Sequence, residues 1–225
     1  MSKQLKAAIE RNDPGLAREA LKTVKDLNRK IAGGTTPLLL ACTVGADKVL
    51  PVLVEAGARV QGIDSYVGSH LFAVAAKHGR TGVMAKLAEM SQAPDDVIDH
   101  ALFVAAADGQ EDVLRFLVKH HRPNPGAMIV RVAAHSKKRG VIRAVAEGTG
   151  AVNATEDTGP GARGITPLHS CAGCADVEVV RTLLDCGAVI NARDSLGRTP
   201  LMVLGHDMEH LRLDDEEADG LVVMK

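Results

Sequence analysis

The chain of 225 residues has no tryptophan, one tyrosine and three phenylalanines, so aromatic residues make up only 2% of it. A single thick core in a chain of this size draws much of its buried area from large aromatic rings, and their scarcity argues against that architecture. Long apolar runs are missing too, and a membrane-spanning helix needs about 18 or more apolar residues in succession. Nor is there an excess of one charge: 27 Lys and Arg stand against 28 Asp and Glu, which with the hydrophobic content excludes a disordered class. The opening MSKQLKAAIERND is charged throughout and lacks the apolar stretch of a secretory signal. The expected location is the cytoplasm, with the nucleus as the alternative, and no membrane partner is expected.

What is present is small and aliphatic. Hydrophobic residues are 46% of the chain, and they are mostly Ala, Val and Leu. Such side chains let helices approach closely and suit thin repeated layers better than one globule, so a period is the first thing to seek. Thr36-Pro37-Leu38 recurs as Thr166-Pro167-Leu168 and as Thr199-Pro200-Leu201, the last two 33 residues apart. Weaker copies start at His70 and His100, nine residues before Gly79 and Gly109, as Thr36 stands nine before Gly45. The 66 residues between 100 and 166 hold one eroded copy, Gly126 to Ala154.

Each unit has a second half. Asp176 to Ala188 carries apolar residues at helical spacing and closes on a Gly, and Asp47 to Ala58 and Glu111 to His121 read alike. Asn191 to Arg198 then supplies a turn. The unit is turn, helix, tight turn, helix.

With its period and its Thr-Pro-Leu-His opening, best kept over residues 166–201, the chain resembles the ankyrin-repeat family. The resemblance implies an all-α fold: an ankyrin-repeat solenoid of stacked antiparallel helix pairs with hairpin fingers. It implies one domain over 1–225, with units near 1–34 (an N-terminal cap), 35–68, 69–98, 99–125, 126–164, 165–197 and 198–225, the last incomplete or interrupted by an acidic insertion. In the cap, Leu5, Ala7, Ala8 and Ile9 form a first helix and Leu16 to Leu27 a second, whose outer face carries Arg18, Lys22 and Lys25. Thr36, Pro37, Thr166, Pro167, His169, Thr199 and Pro200 are structural: Thr caps a helix, Pro opens its first turn, and His169 ties the Thr hydroxyl to nearby backbone. Leu39 and Met202 replace that His in two units.

Signs of chemistry are weak. Cys171 and Cys174 spell C-x-x-C beside His169, and with Cys186 they give a redox or metal-linked reading. A structural zinc site usually needs a second close pair of ligands, and a thioredoxin motif needs a strand feeding its helix, neither of which is visible. His206 and His210 lack the order of a zinc-protease motif, and Gly159 to Gly164 lacks the G-K-[ST] of a phosphate loop. No catalytic residue, cofactor or metal is expected.

Charge is distributed unevenly. Residues 113–146 carry eight basic side chains and no acid, whereas 147–225 carry six basic and 14 acidic. Arg115, Lys119, Lys137, Lys138, Arg139 and Arg143 form a basic patch that reads either as a solvated face or as a dock for an acidic or phosphorylated peptide. Nucleic acid is disfavoured, because the patch holds one aromatic, Phe116, at a core position. The finger around Thr158 to Gly164 is about five residues longer than the one before Thr199, since Asn153 lies 13 residues before Thr166 and Asn191 eight before Thr199.

The function implied by the resemblance is a non-enzymatic scaffold or adaptor, a monomer that binds another protein or peptide. The alternative is a targeting or regulatory domain of a larger enzyme. Family partners lie across fingers and first helices, which here places contacts at Tyr66, Lys77, His78, Asp108, Arg163, Arg193, Asp194, Leu196, Arg198 and His206, with Gly173 and Cys174 nearby.

Overall fold

The structure, a computed structural model, describes residues 2–29, 35–60, 71–90, 95–121, 126–157, 163–172 and 176–204, with the backbone alone at His121. The expected contacts at Tyr66, Gly173, Cys174 and His206, and most of the long finger, lie outside these residues. The chain divides into two compact units, Met1–Pro125 and Gly126–Lys225.

The first unit holds α1 (Lys3–Glu10), α2 (Pro14–Leu21), α3 (Pro37–Val44), α4 (Leu50–Glu55), α5 (Leu71–Lys77), α6 (Thr81–Met90), α7 (Asp95–Ala107) and α8 (Glu111–His121). The second holds α9 (Ala127–His135), α10 (Arg139–Thr149), a 3-10 turn (Ala151–Asn153), α11 (Pro167–Ala172), α12 (Val177–Asp185) and a helical stretch at 200–204. Within the first unit α1, α3, α5 and α7 pack in series, and α2, α4, α6 and α8 form a parallel series behind them. In the second, α9 packs on α11 and α10 on α12. Both units are therefore stacks of helix pairs. The described residues contain no strand, only an isolated antiparallel bridge between Glu156 and Ile165.

Small residues make the stacking possible. Each first helix presents a buried pair: Ala41 and Cys42, Ala75 and Ala76, Ala105 and Ala106, Ala133 and Ala134, Cys171 and Ala172. Second helices answer with Val49 and Leu50, Val83 and Met84, Val113 and Leu114, and Val141 and Ile142, all buried. Each large aliphatic side chain so buried contributes roughly 1.5 to 3 kcal/mol.

Helix ends follow local chemistry. Thr36 accepts the Leu39 N–H at 3.2 Å, and Pro37 behind it occupies the first turn, where its missing donor costs nothing. Gly45 closes α3 at φ 90°, and a Cβ there would meet Arg80 Cδ at 3.0 Å. That Arg80 donates from Nε to the Thr43 carbonyl at 3.1 Å. Gln110 does the same one layer on, donating to the Lys77 carbonyl at 3.0 Å across Gly79. Neighbouring layers are thus sewn together at the helix ends.

Three elements differ from expectation. The second helix of the cap ends at Leu21 rather than Leu27, because Lys22, Thr23 and Val24 donate three residues back and tighten the last turn. Helix α4 starts only at Leu50, after a turn through 47–49. The first helix of the fourth layer begins at Asp95, five residues before the expected His100, with Asp95 and Asp96 in its first turn, where negative charge suits the helix dipole.

Candidate protein-interaction surface

In the second unit the hairpin finger at 193–198 is built around Asp194. Its carboxylate is buried and accepts the N–H groups of Leu196 at 2.9 Å and Arg198 at 2.8 Å, and Arg198 Nε at 2.8 Å. Burial alone would raise its pKa; the Arg198 backbone, the guanidinium and the Leu196 N–H outweigh it and hold the carboxyl below its usual range. Ser195 N–H donates to the Arg163 carbonyl at 2.9 Å, and Arg163 N–H donates back to Ser195 Oγ at 3.3 Å, so the two fingers are joined. Arg163, Arg193 and Leu196 remain exposed, Leu196 at 60%.

His169 supports this finger from below. It is 1% exposed, and its Nε2 donates to the Arg198 carbonyl at 3.1 Å while Nδ1 meets the Thr166 hydroxyl at 2.8 Å. A carbonyl only accepts, so Nε2 carries the hydrogen and Nδ1 is the acceptor. Both ring nitrogens are engaged, which leaves none for a metal. Thr166 and Pro167 are buried with it, and Thr199 Oγ1 accepts the Met202 N–H at 3.4 Å ahead of Pro200.

The basic residues separate by unit. Arg115 and Lys119 are exposed on α8, Arg115 paired with Glu111 at 2.8 Å. In the second unit, acids absent from the local sequence arrive from α12: Lys137 meets Asp176, Arg139 meets Glu178 and Asp185, and Arg143 meets Asp185, each at 3.5 Å. Lys137, Lys138 and Arg139 still present exposed side chains at the turn into α10. At the ends of α5 and α7, Lys77, His78 and Asp108 are exposed.

The described cysteines form no disulfide, and Cys42 and Cys171 are buried. Burial pushes the Cys42 thiol up to about 12 and raises that of Cys186, where a hydrogen bond with Arg143 only partly counters it. Among the described residues no three His, Cys, Asp or Glu side chains converge as metal ligands, and no helix is long and apolar enough to cross a membrane.

A feature missed in the sequence lies on the far side of α11 and α12. A groove of about 480 Å³ opens between Leu168, Val177, Val180, Leu184, Ile190 and Leu201. Val177 is 65% exposed, Ile190 60% and Leu201 74%. The signal available in the sequence was the aliphatic pair repeated on every second helix, which needs a cover on each side.

Comparison with known proteins is consistent with this geometry. Residues 163–195 match the family described as Ankyrin repeat. No curated protein matches the chain. Among solved structures, the ankyrin repeat domain of Bcl-3, described as a unique member of the IkappaB protein family, superposes with a TM-score of 0.70 at 20% identity, covering 94% of this chain and 98% of that one. The human ASB11 ankyrin repeat domain gives a TM-score of 0.66 at 19% identity, covering 96% and 100%. Identities this low speak for the fold alone. Residues 163–195 thus match an ankyrin repeat, and the described helix pairs stack in the fold of the solved ankyrin repeat domains.

Proposed function

We propose that the chain is a non-enzymatic binding module, a monomer of the cytoplasm or nucleus, that takes up an acidic or phosphorylated peptide or protein domain on its fingers. The observation that carries this reading is Leu196, exposed on a finger whose backbone is already held by Asp194 and joined to the finger of Arg163. An apolar anchor on a pre-ordered loop loses little conformational freedom on binding. Arg163 and Arg193 beside it offer forked donors for carboxylate or phosphate. Lys77, His78 and Asp108, exposed at the ends of first helices in the other unit, are a separate candidate contact of that unit. The residues on α9 and α10 are a weaker dock, because Lys137, Arg139 and Arg143 already face acids of α12.

The test is a pull-down from cell extract with three forms of the chain: the parent, Leu196→Ser with Arg163→Glu, and Lys137→Glu with Lys138→Glu and Arg139→Glu. Circular dichroism must show all three folded, since the triple reversal also breaks pairs to Asp176, Glu178 and Asp185. A partner kept by the triple variant and lost by the finger variant supports the reading. A partner lost only by the triple variant moves the site to the basic ridge, and retention by both sinks the two surfaces together.

A further inference from the structure

Among the described residues, no further helix covers the groove on α12. In each unit a following second helix packs on the one before: α6 on α4, α8 on α6, α12 on α10. The aliphatic pairs of the covered helices are wholly buried, as at Val49 and Leu50, Val83 and Met84, and Val141 and Ile142. On α12 the corresponding pair is Val179 and Val180. Val179 is buried, yet Val180 is only half-buried and lines the groove with Leu184 and the exposed Val177. Solvent-facing apolar surface of this kind, concentrated on one side of one layer, marks a contact site.

We propose that its occupant is this chain's own segment Asp219–Met224, which closes the groove in cis as a further second helix. The argument rests on register. In α12, Asp176 caps the helix by accepting the N–H groups of Glu178 at 3.2 Å and Val179 at 3.3 Å, and the Val179-Val180 pair begins three residues after it. Asp219 stands three residues before Val222-Val223 in the same arrangement, flanked by Leu221 and Met224. Val222 follows Val179 by 43 residues, where the intervals from Val49 to Val83, Val113, Val141 and Val179 run from 28 to 38. The surplus includes Asp214-Asp215-Glu216-Glu217, four acids whose charges are too costly to bury and which therefore belong to a solvated connection. Sixteen residues lie between Leu204 and Leu221, and at about 3.3 Å per extended residue they cross the groove with length to spare. Leu, Val, Val and Met match the mainly aliphatic lining, whose one charged side chain, Asp176, is already engaged as the cap of α12 and in a pair with Lys137.

Hydrogen exchange read by mass spectrometry on the full chain tests this, comparing the parent with Val222→Asp/Val223→Asp. The amides of α12 should exchange about tenfold faster or more in the variant, the loss expected when buried valines no longer cover the helix. The amides of α9 serve as the check that the rest of the unit stays folded. The reciprocal variant Val180→Asp should speed exchange across 221–224. Unchanged α12 exchange in the first variant, or 221–224 exchanging at the rate of an unstructured peptide in the parent, overturns the proposal. So does a concentration-dependent dimer that Val180→Asp dissolves, since the occupant would then be a second copy. Loss of a finger-bound partner has no bearing on either readout.

Discussion

Asp194 accepts both the backbone N–H and the Nε of Arg198, each at 2.8 Å, and so pins the end of the finger to its own start. Replacing it by alanine leaves three donors without this acceptor and should lower stability by about 1 to 3 kcal/mol, read as a shift of the urea midpoint. The carboxyl is held below its usual range, so its contribution is complete above the unfolded value of about 3.9 and fades as pH falls through the lower folded one. The gap between parent and Asp194→Ala should therefore be full at neutral pH and narrow only in acid below about pH 4. A gap that is constant across that range would show that the charge plays no part.

The repeating frame was legible because its signals are local. Thr36 and Pro37 open a helix, Gly45 ends it, and each needs only its near neighbours. The ties between layers were not legible, because they join residues about 35 apart with no common spelling. Asn12 accepts from Lys48 N–H at 3.0 Å, Arg80 reaches Thr43, and Gln110 reaches Lys77. Asn28 and Asn153 were nearer to legible, since each spans to the glycine that closes the next second helix, donating to Gly57 at 3.1 Å and Gly187 at 2.9 Å. The early start of α7 is not marked by the repeat register at His100, because its cue, Asp95 and Asp96 in the first turn, lies upstream of the motif. The candidate fingers could be named from the turn at Asn191 to Arg198; which of their side chains are exposed depended on Asp194 being turned inward, and that is set by the fold.

His169 and Leu39 occupy the same place in two layers, one tying polar groups together and the other filling space. His169→Leu should remove the links to Thr166 and Arg198 and cost about 1 to 3 kcal/mol, because the Arg198 carbonyl loses its partner at 3.1 Å beneath the finger. Chemical denaturation measures the loss, and amide exchange of 194–198 should rise in parallel. If stability falls with no change in that exchange, His169 acts through packing alone.

Cys42 is buried on α3, with its thiol raised to about 12, so almost none of it is thiolate at neutral pH. Iodoacetamide should leave it unmodified in the folded protein and label it once the chain is unfolded in denaturant, with the site read by peptide mass spectrometry. Prompt labelling of Cys42 under native conditions would mean that the first unit opens locally at α3 far more often than its burial implies.

Arg139 bridges to Glu178 and Asp185 on the neighbouring second helix, both at 3.5 Å, with about half of each side chain open to water. Exposed pairs of this kind contribute about 0.2 to 1 kcal/mol, and salt weakens them. Arg139→Ala should therefore destabilise the second unit by no more than about 1 kcal/mol in dilute buffer, and the difference should vanish near 1 M salt, where the screening length is about 3 Å. Thermal melts of parent and variant at the two ionic strengths decide it. A loss that persists in high salt would assign Arg139 a packing role, its aliphatic stem lying along α10 and α12, and would remove the electrostatic reason for treating this ridge as already occupied.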